Sequence, residues 1–160
     1  MSRLLALVLA AAFLAASCNA DPVHDNEVAA LGGEAPGVSP GENHRPGQPC
    51  LVCHGGEGPA SAVFAAGGTV YDTPTSSKGV SGVTVTLLDA QNKTGTATTN
   101  SVGNFFLRAS DYSPTFPVDV SIESMGSSVS METHIGRDAS CGTCHYTPPG
   151  PGSPGHVYTL

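Results

Sequence analysis

Two copies of one short pattern constrain this 160-residue chain more than any other feature. Residues 50–54 read Cys-Leu-Val-Cys-His, and residues 141–145 read Cys-Gly-Thr-Cys-His. Together the two copies contain four of the five cysteines, and only Cys18 stands outside them. Because both copies place histidine directly after the second cysteine, each segment holds two thiols and an imidazole at the same spacing.

Cys-x-x-Cys-His is the pattern to which haem is attached covalently. Two residues between the thiols let both sulfurs reach the vinyl groups on one edge of the porphyrin, and the next residue lies under the iron as its proximal ligand. We therefore expect two haem c groups. The expected attachment residues are Cys50, Cys53, Cys141 and Cys144, and the expected proximal ligands are His54 and His145.

Two other functions of these cysteines stay open. A Cys-x-x-Cys pair can form a disulfide in an oxidising compartment, and four cysteines with histidines can bind zinc. Neither function requires a histidine directly after the second cysteine in both copies. The repeated pattern therefore favours haem over zinc or paired disulfides.

The amino terminus predicts export. Arg3 is followed by an apolar run over residues 4–16, which is typical of a signal-peptide core. This run is too short to span a bilayer as a helix. We therefore expect a signal peptide rather than a membrane-spanning segment.

Residues 14–18, Leu-Ala-Ala-Ser-Cys, resemble the lipobox of bacterial lipoproteins, in which the cysteine becomes the lipidated first residue. Ala15 stands where that box most often has leucine. We expect a signal peptide over residues 1–17 and lipidation of Cys18, with the acyl chains holding the protein at the periplasmic face or the cell surface. The outer membrane is the expected location. Cleavage after Ala20 is the alternative.

Residues 18–43 are rich in proline, glycine and acidic residues and lack apolar periodicity, which predicts a flexible tether. The formal net charge of the whole chain is −7. This charge argues against nucleic acid or an anionic membrane surface as partner. We expect redox proteins with a basic patch, such as other cytochromes, as partners.

Residues 64–134 alternate apolar and polar side chains between turn-forming residues, which predicts a small antiparallel β-sandwich. Val118, Val120 and Ile122, for example, alternate with polar neighbours. The pattern predicts six strands near residues 66–72, 82–89, 94–100, 103–109, 117–124 and 127–134. If each strand reverses the direction of the chain, we expect the two haems to lie near each other at one end of the sandwich, unless the connection over residues 72–81 contains a seventh strand.

Three segments of this region resemble the carboxypeptidase regulatory-like, or transthyretin-like, β-sandwich family. They are Gly-Thr-Val at 68–70, Gly-Val-Thr-Val at 82–85 and Thr-Asn-Ser-Val-Gly-Asn-Phe at 99–105. Residues 109–112, Ala-Ser-Asp-Tyr, depart from the Pro-Gly-x-Tyr turn of that family. The resemblance implies an accessory module that serves as a scaffold or a binding surface. With the other motifs, it suggests a dihaem c-type cytochrome lipoprotein.

The flanking segments, residues 44–63 and 135–160, are rich in glycine and proline, and we expect them to wrap the haems as loops without helices. His44 lies six residues before Cys50, and His134 lies seven residues before Cys141. These two histidines are the candidate distal ligands of the irons. Other candidates are His156, the main rival, and His24, Met125 and Met131.

Two irons with both axial positions filled would leave no open site for a substrate, and no other group of residues indicates catalysis. The expected function is electron transfer by an anchored dihaem cytochrome that is not an enzyme. One alternative is a haem peroxidase or reductase with one open iron site. Another is a β-sandwich module that binds a surface polymer or a protein partner. Self-assembly is compatible with two haems, but no residue argues for it.

Overall fold

The computed structural model of the protein describes residues 21–34 and 37–160. Within these residues two α-helices precede the strands: α1 is Pro22–Ala30 and α2 is Cys50–His54. The strands are β1 Phe64–Tyr71, β2 Thr84–Asp89, β3 Thr94–Thr98, β4 Asn104–Arg108, β5 Val118–Ser124, β6 Ser127–Ser130 and β7 Val157–Tyr158. A 3-10 helix covers Cys141–Thr143.

The strands form two sheets, consistent with the predicted small β-sandwich. One sheet has the order β4-β1-β7 and the other the order β3-β2-β5-β6. The strand pairs are antiparallel except for a short parallel pair between β1 and β7. The protein is therefore mainly β, with few helices.

The core forms where the apolar faces of the two sheets meet. In β2, Val85 and Leu87 are buried while Thr84 and Thr86 keep partial exposure, because successive side chains of a strand point to opposite faces. The other large core side chains are Val70, Val83, Phe105, Leu107, Tyr112, Val118 and Ile122. Burial of this apolar surface is the main source of stability.

All six predicted strands are present, with shifted ends. The last of them was predicted to run to residue 134, but β6 ends at Ser130. Met131 N–H still donates to the Val120 carbonyl, and the chain returns to β5 only where Ile135 pairs with Val118. The residues between these two contacts leave the sheet, which exposes His134.

Strand β7 was not predicted, and it joins the carboxy-terminal segment to the sandwich. Val157 and Tyr158 pair with Val70 and Tyr71 of β1. Two residues are too few to show an alternating pattern, so the sequence carried no signal for this strand. The segment 135–160 therefore contributes to a sheet as well as carrying a cysteine motif.

The prediction of a tether over residues 18–43 is wrong for its middle part, where α1 forms. Asp21 caps this helix by accepting hydrogen bonds from the N–H groups of Val23 and His24, at 3.0 and 3.1 Å, and Pro22 occupies its first turn. An aspartate followed by proline is a recognised helix start, so the sequence did carry this signal.

The segment after α1 also packs against the rest of the chain. Arg45 binds Glu34 at 2.8 Å and donates to the Gly32 carbonyl at 2.8 Å. The predicted signal peptide, residues 1–17, and Cys18 lie outside the described residues. Within residues 21–34 and 37–160, no helix has the length and apolar character needed to cross a bilayer.

Candidate cofactor-binding sites

The first cysteine motif lies on α2, which packs against β1. The contact is close because β1 has glycine there: a Cβ atom on Gly67 would lie 3.1 Å from the Cβ and 3.3 Å from the Sγ of Cys50. A glycine inside a strand often marks such a close approach. The expectation of a segment without helix is wrong here, since a five-residue helix is too short to be read from periodicity.

The imidazole of His54 is held by two contacts. Its ring stacks on Phe64, with ring centroids 4.1 Å apart and planes 7° apart. Its Nδ1 donates to the Ala62 carbonyl at 2.7 Å. Because a carbonyl can only accept, Nδ1 carries the proton, and Nε2 is the nitrogen that can bind a metal in the neutral ring, as in histidines that bind metals.

A cavity of about 320 Å³ lies beside this histidine, within the size range of small-molecule sites. Its walls include the stacked rings of Phe64 and Phe106, whose centroids are 4.6 Å apart. Arg108 also lines the cavity, with its guanidinium 5.8 Å from the Phe106 ring. The cysteines and histidines that line it are Cys50, Cys53, His44 and His54.

The structure brings His44 to this same cavity, where its ring centroid is 5.8 Å from that of His54. The loop that carries His44 is held by polar side chains of β1 and β4. Asn104 Nδ2 donates to the His44 carbonyl at 2.9 Å. Thr69 Oγ1 donates to Asn104 Oδ1 at 2.7 Å and accepts from the Gly47 N–H at 2.8 Å.

Sequence reasoning missed Thr69 and Asn104 as positioning residues. Both lie inside segments that support the family resemblance, but nothing in either segment indicates contact with a loop about 60 residues away, as Asn104 makes with His44. Thr69 is buried, at 5% exposure, so its hydroxyl must find its partners within the protein.

The second motif packs against the next residue of β1. A Cβ atom on Gly68 would lie 2.6 Å from the Cβ and 2.9 Å from the Sγ of Cys141. His145 Nδ1 donates to the Gly155 carbonyl at 3.0 Å, so Nε2 is again the nitrogen that can bind a metal in the neutral ring. Both motif histidines are thus oriented by a backbone carbonyl. Cys144 is exposed.

A second cavity of about 170 Å³ lies beside His145, between β5, β6 and the end of the chain. His156 and Met131 line it together with His145. His156 stacks on Tyr71, with ring centroids 4.0 Å apart, and its Nδ1 donates to the Ser76 carbonyl at 2.8 Å. Apolar residues complete the walls, among them Val120, Ile122, Val129 and Val157.

The remaining ligand candidates lie elsewhere. His134 is exposed and is not among the residues that line the two cavities. Met125 is fully exposed at the turn between β5 and β6. His24 lies on α1, and its Nε2 is buried without a hydrogen-bond partner in the described part of the chain.

The two motifs meet at β1; the prediction concerned the two haems, and their separation stays a prediction. Leu51 N–H donates to Ser140 Oγ at 3.3 Å, and Gly67 N–H donates to the Ala139 carbonyl at 3.1 Å. The predicted place is wrong, however, because the contact is with the middle of β1 rather than with one end of the sandwich. The number of strands between the motifs does not bring them together. They are adjacent because residues 139–140 pair with β1.

The first cysteine of each motif is an uncharged thiol at neutral pH. Burial raises the pKa of Cys50 to about 11. Burial, with the nearby Cys50 thiol as a lesser cause, raises the pKa of Cys141 to about 12. The thioether that attaches haem carries no charge.

The four motif cysteines are free thiols, and among residues 21–34 and 37–160 no three His, Cys, Asp or Glu side chains cluster as a metal site. Covalent haem does not need such a cluster, since the porphyrin supplies the remaining iron ligands. Comparison with protein families, curated proteins and solved structures finds no match to this chain.

Proposed function

We propose that this protein transfers electrons as an exported, membrane-anchored c-type cytochrome with two covalently bound haems. One observation carries the proposal: both Cys-x-x-Cys-His motifs have the same local arrangement. In each, the first cysteine packs on a glycine of β1, and the histidine donates Nδ1–H to a backbone carbonyl beside a cavity. A bound haem supplies one-electron chemistry at its iron.

The residues of the first cavity fit a haem. Phe64 and Phe106 offer flat apolar surface, which suits the face of a porphyrin. Arg108 places a cation at the cavity wall, where it can bind a carboxylate of the haem. His54 presents an oriented imidazole, and Cys50 and Cys53 present their thiols to the same space.

The second cavity suits a haem less well, because His145 lines it but Cys141 and Cys144 do not. Its volume of about 170 Å³ lies below the usual range for an enclosed cofactor. Since Cys144 is exposed, we expect one edge of this haem to remain in solvent. An exposed edge suits exchange of electrons with a partner protein. The chain's net charge of −7 favours a partner with a basic patch, such as another cytochrome.

For the distal ligands we propose His44 on the first iron and His156 on the second. His44 shares a cavity with His54, and His156 shares a cavity with His145. The exposure of His134 favours His156 over the ligand expected from the sequence. Met131 is the alternative at the second iron, because it lines the same cavity.

The β-sandwich supports both sites, and we propose that it belongs to the carboxypeptidase regulatory-like family. In this proposal it acts as a scaffold, since β1 carries both contact glycines and β4 carries Asn104. The anchor is the lipidated Cys18, which holds the protein at the outer membrane on the periplasmic face or at the cell surface.

Absorption spectra test this function and its ligands. The wild-type protein is expected to be low-spin at both irons and to bind little carbon monoxide, because imidazoles fill the axial positions. His44→Ala and His156→Ala should each open one iron to carbon monoxide. His134→Ala is the matched control and should behave like the wild type.

The alternatives give different spectra. Prompt carbon monoxide binding to one iron of the wild type would support a haem enzyme and count against a simple carrier. If His134→Ala opens a site and His156→Ala does not, the second distal ligand is His134. If Met131→Leu alone changes the second iron, that ligand is Met131, and the reduction potential there should be higher than for two histidines.

A further inference from the structure

We infer that Gly67 and Gly68 are positioning residues that hold the two cofactor sites on opposite faces of one strand, close enough for the two irons to interact. This inference rests on the proposed function, because it concerns where two haems are attached. It assigns a role to two glycines that lie outside both cysteine motifs and outside both cavities.

The strand register places the two glycines on opposite faces. Gly67 pairs with Phe106, whose ring belongs to the stack at the first cavity. Gly68 pairs with Phe105, which is buried in the core between the sheets. Cys50 therefore contacts the outer face of β1, and Cys141 contacts its inner face.

The separation of the two attachment points follows from these contacts. Consecutive Cα atoms of a strand are about 3.8 Å apart. With both cysteines against consecutive glycines, the two Sγ atoms cannot be farther apart than roughly 13 Å. In the proposed dihaem protein each of these sulfurs is bonded to a haem, so this distance limits the separation of the two porphyrin edges.

Other contacts keep the two segments from moving apart. Ser140 Oγ accepts from the Leu51 N–H, which joins the second motif directly to the first. Gly142 lies against the Gln48 carbonyl, since a Cβ there would be 2.6 Å from that oxygen. Tyr71 stacks on His156, and its hydroxyl lies near Gly47. These contacts hold the two sites next to each other.

A graded series of side chains tests the inference. In Gly67→Ala the new Cβ would be 3.1 Å from Cys50, so Cys50 must give slightly; in Gly68→Ala it would be 2.6 Å from Cys141, so Cys141 must shift further. Gly68→Val enlarges that shift. Gly136→Ala is the matched control, because no atom lies within 4 Å of its added Cβ.

The readout is the magnetic interaction between the two oxidised irons, measured by electron paramagnetic resonance on protein whose mass shows two haems. The interaction should be as strong in Gly136→Ala as in the wild type. It should weaken in Gly67→Ala, more in Gly68→Ala and most in Gly68→Val. If Gly68→Val does not fold, the strength of the interaction in the three alanine variants still tests the inference.

Two outcomes separate this inference from the proposed function. Variants that keep both haems and show the wild-type interaction would overturn the inference and leave the electron-transfer function standing. A wild-type protein whose mass shows no haem would overturn the proposed function itself. A wild-type spectrum of two independent low-spin irons would also overturn the inference, because it requires them to interact.

Discussion

Replacing Thr69 by valine removes one hydroxyl from the contact between β1 and the loop that carries His44. Valine has nearly the same shape as threonine, so packing is largely kept. The Gly47 N–H loses its acceptor, and Asn104 Oδ1 loses a donor. We expect the protein to be less stable and His44 to be held less firmly in the first cavity.

The magnitude follows from the two hydrogen bonds. Each is worth about 0.5–1.5 kcal/mol net, so the variant should lose about 1–3 kcal/mol of unfolding free energy. For a domain of this size, 1 kcal/mol lowers the melting temperature by roughly 4 °C, which gives an expected decrease of about 4–12 °C. Burial of Thr69, at 5% exposure, favours the upper part of this range because water cannot replace the lost partners.

Thermal unfolding followed by circular dichroism measures the loss of stability. In the proposed dihaem form, carbon monoxide binding to the reduced protein measures access to the first iron. Thr96→Val is the matched control, because Thr96 lies on an exposed face of β3. If Thr69→Val melts at the same temperature as Thr96→Val and binds no more carbon monoxide than the wild type, the hydroxyl does not hold the loop and the reasoning is refuted.

Three further predictions concern the core, a buried carboxylate and the anchor. Leu87→Ala removes a side chain that is 2% exposed, so denaturant unfolding should show a loss of about 2–5 kcal/mol; a loss below that range would mean that the sheets do not pack as described. The N–H groups of Thr115, Lys93 and Gln91 hold the pKa of Asp89 below its ordinary 3.8. Stability should therefore fall as the pH drops below that value, and Asp89→Asn should be less stable at neutral pH and lose this dependence. Cys18→Ser should release the protein from the membrane fraction or block its processing, whereas a mature, membrane-bound variant would point to another anchor.

The strands could be predicted because their signal is local. In β2 the alternation of Val85 and Leu87 with threonines follows directly from which face meets the core. The end of β6 could not be predicted, because the chain from Met131 to Ile135 keeps its contacts with β5 only at its two ends. Helix α1 could have been predicted from Asp21 and Pro22, but the surrounding glycines and prolines favoured a tether.

The residues of the candidate sites also fall into two groups, those that the sequence could identify and those that it could not. The cysteines and the histidines after them form patterns of five consecutive residues, so sequence alone names them. The partners of those histidines depend on contacts between distant residues. His156 reaches the second cavity only because β7 pairs with β1, and Asn104 reaches His44 only because β4 lies beside β1. Spacing along the chain suggested His134 instead, although it points into solvent.

We propose that both motifs bind haem covalently, and the mass of the intact protein shows whether they do. The protein should be produced from the full sequence, with residues 1–20 included, in a host that attaches haem c, and measured after denaturation and acid extraction have removed any loosely bound cofactor. We expect the mass of the polypeptide plus two haems, and a mass lower by one haem when both Cys141 and Cys144 are replaced. The mass of the polypeptide alone, from a host shown to attach haem to another c-type cytochrome, would contradict it.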